Sequence, residues 1–257
     1  MPLPPQASQP DWRVLARSHQ QGHSLPVHSH QSGQLVFALC GSMQVDTGFK
    51  QWTIPPQRAL WLPPQQEHGI QMLSDVALRT VYFSPAKLAA CPQFARQGET
   101  HVLVASSLVR ELVQGLFVAG RSLAMQNMMA GLLLHALSET ACLPSDLPWP
   151  APGPLRLALQ DMLRAGQWQR PMDELAAQLA MSGRSFSRHF SAQTDMSFRH
   201  WRQRARLIAS LDLLASTASI KSIAHRLQFA SSAAYVSAFK ELMGTSPQVF
   251  RQALLAS

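Results

Sequence analysis

The chain has 257 residues, 46% of them apolar, a formal charge of +8 and three cysteines. That much apolar material builds ordinary cores and excludes wholesale disorder. Cys40, Cys91 and Cys142 are widely spaced and form no Cys-x-x-Cys pair, which excludes a disulfide framework or zinc finger and points to a reducing cytosol.

Residues 1–12, MPLPPQASQPDW, read as a disordered lead-in. They lack the basic-then-apolar order of a signal peptide. From Val14 to Phe83 the runs QLVFAL, SMQVDTG, QWTI, ALWLP and LRTVYF are separated by Gly, Pro or polar residues. Short strands at such spacing predict a sandwich or small barrel. From Ser106 to Cys142 the apolar repeat becomes helical, with Leu108, Leu112 and Leu116 first and Met125, Met129, Leu132 and Leu133 after Gly120. Two amphipathic helices are expected here, covering the sheet or making a dimer contact. None of these runs is long enough to span a bilayer, so no membrane partner is expected.

Residues 13–142 are thus expected to form one domain. The stretch 143–154, LPSDLPWPAPGP, holds five prolines and is expected as a semi-rigid linker that joins neither helix nor sheet. Residues 155–257 read as helix throughout. The charge follows this division: 1–154 carries +1 and 155–257 carries +7. A basic module behind a neutral one points to a polyanion partner.

Within the basic part, about 172–193 reads as a helix, a turn and a second helix. Leu175, Ala176, Phe186 and Phe190 make the inner faces, and Ser182 sits where an N-cap belongs. Arg184, Ser185, Ser187, Arg188 and His189 are then left to face outward, and arginine can grip a phosphate or bond guanine bidentately. The layout recurs at about 220–243. There Ala224, Leu227, Ser231, Tyr235 and Phe239 repeat the inner and capping positions, and Ser232, Ala233, Val236, Ser237 and Lys240 fall outside. A longer helix from about Ser197 to Ser216, with Arg199, Arg202, Arg204 and Arg206, joins the units. Two units held this way reach successive major grooves about 34 Å apart.

Together with Gly244, Ser246-Pro247 and Arg251, these features make residues 155–254 resemble the DNA-binding domain of AraC/XylS-type transcription regulators. The pattern departs at Gln228 and at Asp195-Met196, where glycine is usual. The resemblance implies DNA contact through Arg184, Ser185, Ser187, Arg188, Ser231, Ser232, Ala233, Val236, Ser237 and Lys240. Long bidentate donors occur only in the first set, so that unit is expected to read bases and the second to hold phosphates.

Residues 22–41 resemble a cupin first motif: Gly22, His28-x-His30, Gln34 and Gly41, with Gln34 where the metal-binding form has Glu. A second motif follows in LPPQQEHGI, with Pro63 and His68 in register and Gln65 where glycine is usual. His28, His30, Gln34 and His68 are expected to line an effector pocket. No cofactor is required, although His28, His30 and His68 also suit a divalent metal.

The fold expected is therefore α+β in two domains: a cupin-like β-barrel with flanking helices, then an all-α domain with two helix-turn-helix units. The function expected is a bacterial-type, one-component, effector-responsive regulator that binds DNA sequence-specifically at promoters, in the cytoplasm and without enzymatic activity. Its expected partners are double-stranded DNA, a small-molecule effector, RNA polymerase and a second copy of the chain. A metal-dependent cupin enzyme fused to a DNA-binding domain stands as the alternative. A sequence-neutral DNA-compacting protein is disfavoured by Arg184 and Arg188 on a groove-facing helix.

Overall fold

The computed structural model describes residues 11–56, 58–92 and 98–255. The lead-in expected over 1–12 lies outside them except for its last two residues, and Trp12 already opens a strand. In chain order come β1 (Trp12–His19), β2 (Ser24–His28), β3 (Gly33–Cys40), β4 (Met43–Asp46), β5 (Lys50–Ile54), β6 (Ala59–Leu62), β7 (His68–Met72) and β8 (Val76–Phe83). Helix α1 (Pro85–Ala89), β9 (His101–Leu103), α2 (Ser107–Gly115), α3 (Leu123–Ser138), β10 (Cys142–Leu143) and β11 (Asp146–Pro148) follow. The remainder is helical: α4 (Pro154–Arg164), α5 (Met172–Gln178), α6 (Gly183–Thr194), α7 (Phe198–Leu214), α8 (Ile220–Arg226), α9 (Ser232–Met243) and α10 (Pro247–Leu255).

The strands form two antiparallel sheets, ordered β1-β8-β3-β6-β9-β10 and β11-β5-β4-β7-β2. Period-two alternation sends Val36, Ala38, Leu60 and Leu78 of the first sheet inward, where they meet Met43, Val45, Trp52, Ile54 and Ile70 of the second. The other face of the first sheet presents Leu35, Phe37, Trp61 and Val81 to Val109, Val113, Leu133 and Leu137 of α2 and α3. Covered on both sides, β3 is apolar or buried at nearly every position. Gly41 turns the chain from β3 to β4 at φ +77°, and a Cβ there would stand 1.9 Å from the Asp75 carbonyl oxygen.

The proline-rich segment departs from the expectation of a spacer that joins no sheet. Asp146, Leu147 and Pro148 pair with Trp52, Gln51 and Lys50 of β5. Proline is tolerated there because β11 is an edge strand, so its missing N–H costs no ladder bond. The same segment is fastened to α7: the Pro148 carbonyl accepts from Trp201 Nε1 at 2.5 Å, and the Asp146 carbonyl accepts from Arg204 Nε at 2.7 Å. Arg204 also pairs with the Asp146 carboxylate. From α4, Arg156 donates to the Gly48 carbonyl and pairs with Asp46.

The helical part is held by aromatic rings. Phe186 and Phe190 of α6 stack on each other at 5.9 Å and meet Phe198 and Trp201 of α7 edge-to-face, with centroids 5.4–5.7 Å apart. Tyr235, Phe239 and Phe250 repeat the arrangement around α9. Each fully buried ring contributes roughly 2–3 kcal/mol. Serine hydroxyls cap the helices, Ser182 and Ser231 as expected and Ser197 and Ser219 beside them: each accepts an amide of the following first turn at 3.0–3.3 Å. Such caps are worth about 1 kcal/mol each.

The departures from the family glycines have a structural counterpart. Gln65, Asp195 and Gln228 all adopt positive φ, at 65°, 54° and 57°, as does Ala180 at 54° in the turn between α5 and α6. A Cβ in this region costs about 1 kcal/mol. Gln228 recovers part of that by donating to the Gly166 carbonyl at 3.2 Å. Exposed Ala180 has no such compensation, so Ala180→Gly is expected to raise unfolding free energy by about 1 kcal/mol. Urea denaturation checks this; a lower midpoint would show the turn to be unstrained.

Candidate nucleic-acid interface and histidine centre

Helix α6 begins at its Ser182 cap and buries Phe186 and Phe190, a four-residue step that fixes which face looks out. Arg184, Ser187, Arg188 and His189 are exposed on that outer face. Ser185 differs from expectation: it is half-buried, and its hydroxyl accepts from Ser182 Oγ at 3.0 Å. It belongs to the cap because one turn of helix brings the third residue back over the first. His189 shares a 2.7 Å hydrogen bond with the Gln193 amide, whose oxygen accepts from Ala151 N at 2.9 Å.

Helix α9 repeats the geometry with smaller side chains. Ala233, Ser237 and Lys240 are exposed, and Ser232 is half-buried. Ser231 is exposed and its hydroxyl caps the helix through Ala234 N at 3.1 Å. Val236, expected to face outward, is half-buried and packs against the core beside Tyr235 and Phe239. The outer face of α9 therefore offers one long cation, Lys240, against the two arginines of α6.

The arginines of α7 divide differently from a simple basic stripe. Arg199 is exposed. Arg202 donates to the Arg170 carbonyl at 2.6 Å, and Arg206 donates to the Leu227 carbonyl at 2.7 Å while its guanidinium lies 3.8 Å from the Phe229 ring centre. Burial lowers the pKa of both. Together with Arg204 they brace the helical domain and its junction with the strands.

At the rim of the sheets, His28 and His68 face each other across β2 and β7, and His30 joins them. The ring centroids lie 4.4–5.6 Å apart, and one ring nitrogen from each falls within 4.8 Å of the others. His28 Nδ1 lies 2.7 Å from the Pro26 carbonyl and His68 Nδ1 lies 2.9 Å from the Gln66 carbonyl. A carbonyl only accepts, so in the neutral rings these nitrogens carry the proton and Nε2 keeps a free lone pair. His68 is 1% exposed, and the Nε2 atoms of His68 and His30 are buried without a hydrogen-bond partner. Burial, above all other causes, pushes the His68 pKa down to about 4 and that of His30 below its ordinary value. His68 is therefore neutral at physiological pH.

Gln34 shares the inward face of β3, is 4% exposed and donates to the Tyr82 hydroxyl at 3.4 Å, leaving its own Oε1 without a partner. Tyr82 stands in register opposite Gln34, its ring edge-on to His30 at 5.0 Å and its face under the Arg13 guanidinium at 3.8 Å. Neither Tyr82 nor Arg13 was among the expected pocket residues. The alternation of LRTVYF places Tyr82 on the same face as Thr80 and Leu78, which was the available signal. Glu67 is exposed and stands apart from the three rings.

The donor set suits a transition metal. Three imidazoles converge: the Nδ1 contacts of His28 and His68 set their tautomers, and the Nε2 atoms of His30 and His68 are buried without a partner, so three ligands would leave further coordination positions open. Replacement of a carboxylate by Gln34 removes the anionic donor that hard cations prefer, so nitrogen-loving ions such as Zn²⁺, Ni²⁺ or Fe²⁺ fit best.

A helix-turn-helix domain family matches residues 175–253, and the AraC-like ligand binding domain family matches residues 13–137. The HTH-type transcriptional regulator NimR of Escherichia coli (strain K12) is 28% identical over 225 residues, covering 86% of this chain and 80% of its own. The HTH-type transcriptional regulator RipA of Corynebacterium glutamicum is 31% identical over 103 residues, which is 40% of this chain and 31% of RipA. The solved structure of ToxT from Vibrio cholerae is 10% identical, covering 95% of this chain and 99% of ToxT at a TM-score of 0.40.

Proposed function

Because the chain belongs to the AraC-type transcription regulators, with a ligand-binding domain ahead of a DNA-binding helix-turn-helix domain, we propose that it is a one-component, effector-responsive regulator acting at promoters. The observation that carries the DNA half is α6, with Phe186 and Phe190 buried and Arg184, Ser187 and Arg188 exposed along one face. On this reading α6 enters the major groove and reads bases, while α9 enters the next groove and holds phosphates through Ser231, Ser232, Ser237 and Lys240. Residues 13–142 form the sensor, 143–154 the junction and 155–257 the DNA-binding part. The protein works in the cytoplasm and binds its ligand without turning it over. Among the described residues no helix is long and apolar enough to cross a membrane. RNA polymerase is its partner at the promoter.

The chain acts as a homodimer. Helix α3 is apolar on its outer side too: Leu123, Met128 and Leu132 are 68%, 62% and 48% exposed, beside Leu108 of α2 at 50%. A helix apolar all round needs a cover on its second face.

The histidine centre is a metal site within the sensor. His28, His30 and His68 hold the ion through Nε2. A bound Lewis acid there supplies an open position for an electron-pair donor, and Gln34 and Tyr82 border it. Dialysis of the whole chain against Zn²⁺ followed by elemental analysis tests this, with about one ion per chain expected and at least tenfold weaker retention in His68→Ala. No retained metal in the unaltered chain, or equal retention in His68→Ala, would overturn it. An added metal-dependent turnover abolished by the same substitution would instead favour the cupin enzyme.

A further inference from the structure

The space between the two sheets is filled by Val36, Ala38, Met43, Val45, Ile54 and their neighbours. A cavity of ligand size lies elsewhere, on the outer face of the β11-β5-β4-β7-β2 sheet, where α4 and α7 lean over it. This cleft holds about 540 Å³, within the range of small-molecule sites.

Its two walls differ in chemistry because they come from different parts of the chain. The sheet wall consists of the outward positions of β4, β5 and β7: Gln44, Gln51, Thr53 and Gln71. Each amide both donates and accepts, and Gln51 Oε1 is itself aligned by Trp149 Nε1 at 3.1 Å. The helical side presents an apolar patch, Ile208, Ala209 and Leu213 of α7 with Trp168, bordered by Gln160, Arg164, Asp212 and Arg226. The charged groups at the lining are Arg164, Arg226 and Asp212, and Arg164 pairs with Asp161 at the surface at 3.0 Å, so little net charge faces the cleft.

We propose that this cleft binds a neutral aromatic amide or an equivalent heteroaromatic ligand. The flat ring lies against Ile208, Ala209 and Trp168, and the polar edge is read by Gln44 and Gln71. A flat apolar body satisfies the α7 wall, a donor–acceptor edge satisfies the glutamines, and neither wall supplies the excess charge that an ion would need. Because one wall belongs to the sensor and the other to the helix joining the helix-turn-helix units, an occupant favours this arrangement of the two over any other. That is the differential affinity an effector needs. The inference rests on the regulator reading and adds a site distinct from the histidine centre.

N-phenylbenzamide is a suitable probe, its binding to the full chain followed by calorimetry and by indole fluorescence. One site per chain is expected. Ala209→Trp, which fills the cleft, should weaken binding by about tenfold or more. Gln71→Ala, on an exposed strand position that leaves packing intact, should weaken it by about threefold. Benzoate and trimethylanilinium should bind more weakly than the neutral probe. Saturating probe should shift affinity for the selected DNA site by about threefold or more in the parent chain, and not in Ala209→Trp. Unchanged probe binding in both variants, loss of binding in His28→Ala instead, or no binding by the parent chain would each overturn the proposal. DNA affinity measured without probe reports on the regulator reading separately, so failure of one is not read as failure of the other.

Discussion

Arg188→Ala is expected to lower affinity for the preferred DNA site by about 10- to 100-fold while leaving affinity for unrelated duplex within a few-fold. The reason lies in the outer face of α6. Arg188 is exposed one turn after Arg184, on a helix whose orientation is fixed by Phe186 and Phe190 beneath it. A bidentate pair to guanine contributes about 1–3 kcal/mol of discrimination, and removing it relaxes the sequence at one position. Lys240→Ala on α9 is expected to act differently. Without its ammonium on a phosphate, binding to all duplexes should weaken alike and the salt slope should fall by about one. Selection from random DNA followed by salt titration of both variants decides the matter. Equal loss of specificity from both substitutions would sink the division of labour. The same selection tests the dimer, because a dimeric chain should enrich two copies of the site.

Asp46→Ala is expected to cost about 3 kcal/mol of stability, far more than a surface ion pair. The partner left behind, Arg156, has a side chain only 10% exposed, and its remaining acceptor is the Gly48 carbonyl. Asp46 itself is 32% exposed, so water offsets part of the loss and places the effect at the lower end of the buried range. Asp46→Leu combined with Arg156→Met should be less damaging than Asp46→Ala alone, because it removes both charges together. Urea unfolding of the single and double variants makes the comparison. A cost below about 0.5 kcal/mol for Asp46→Ala would show that the pair behaves as an exposed one.

Much of this architecture is legible in the residues. The serine caps, the paired Phe186/Phe190 and Tyr235/Phe239 steps and the break at Gly120 all follow from local rules. The i, i+2 spacing puts His28 and His30 side by side, and it is the cupin-like second motif that points His68 to the same place. Other features depend on contacts distant in sequence. Pro148 reads as a sheet breaker until an edge position on β5 is available to it. Helix α1 and strand β9 carry too few residues to show a period. Val236 and Ser185 occupy outward positions by counting, but packing under α9 and the cap of α6 turn them inward. Tyr82 enters the histidine centre through register with Gln34, which only strand pairing reveals. The glutamine-lined cleft is the extreme case, since its walls lie more than a hundred residues apart in the chain.

Strand β11 sits as a pin between the two halves of the molecule. Its three residues are tied to β5 on one side and to α7 on the other, so a swivel of one half against the other has to break contacts on one side of it. Unseating it from β5 would bare that strand's edge, and an open strand edge invites pairing with a second chain. The backbone groups that join the halves are thus also the ones that guard this edge.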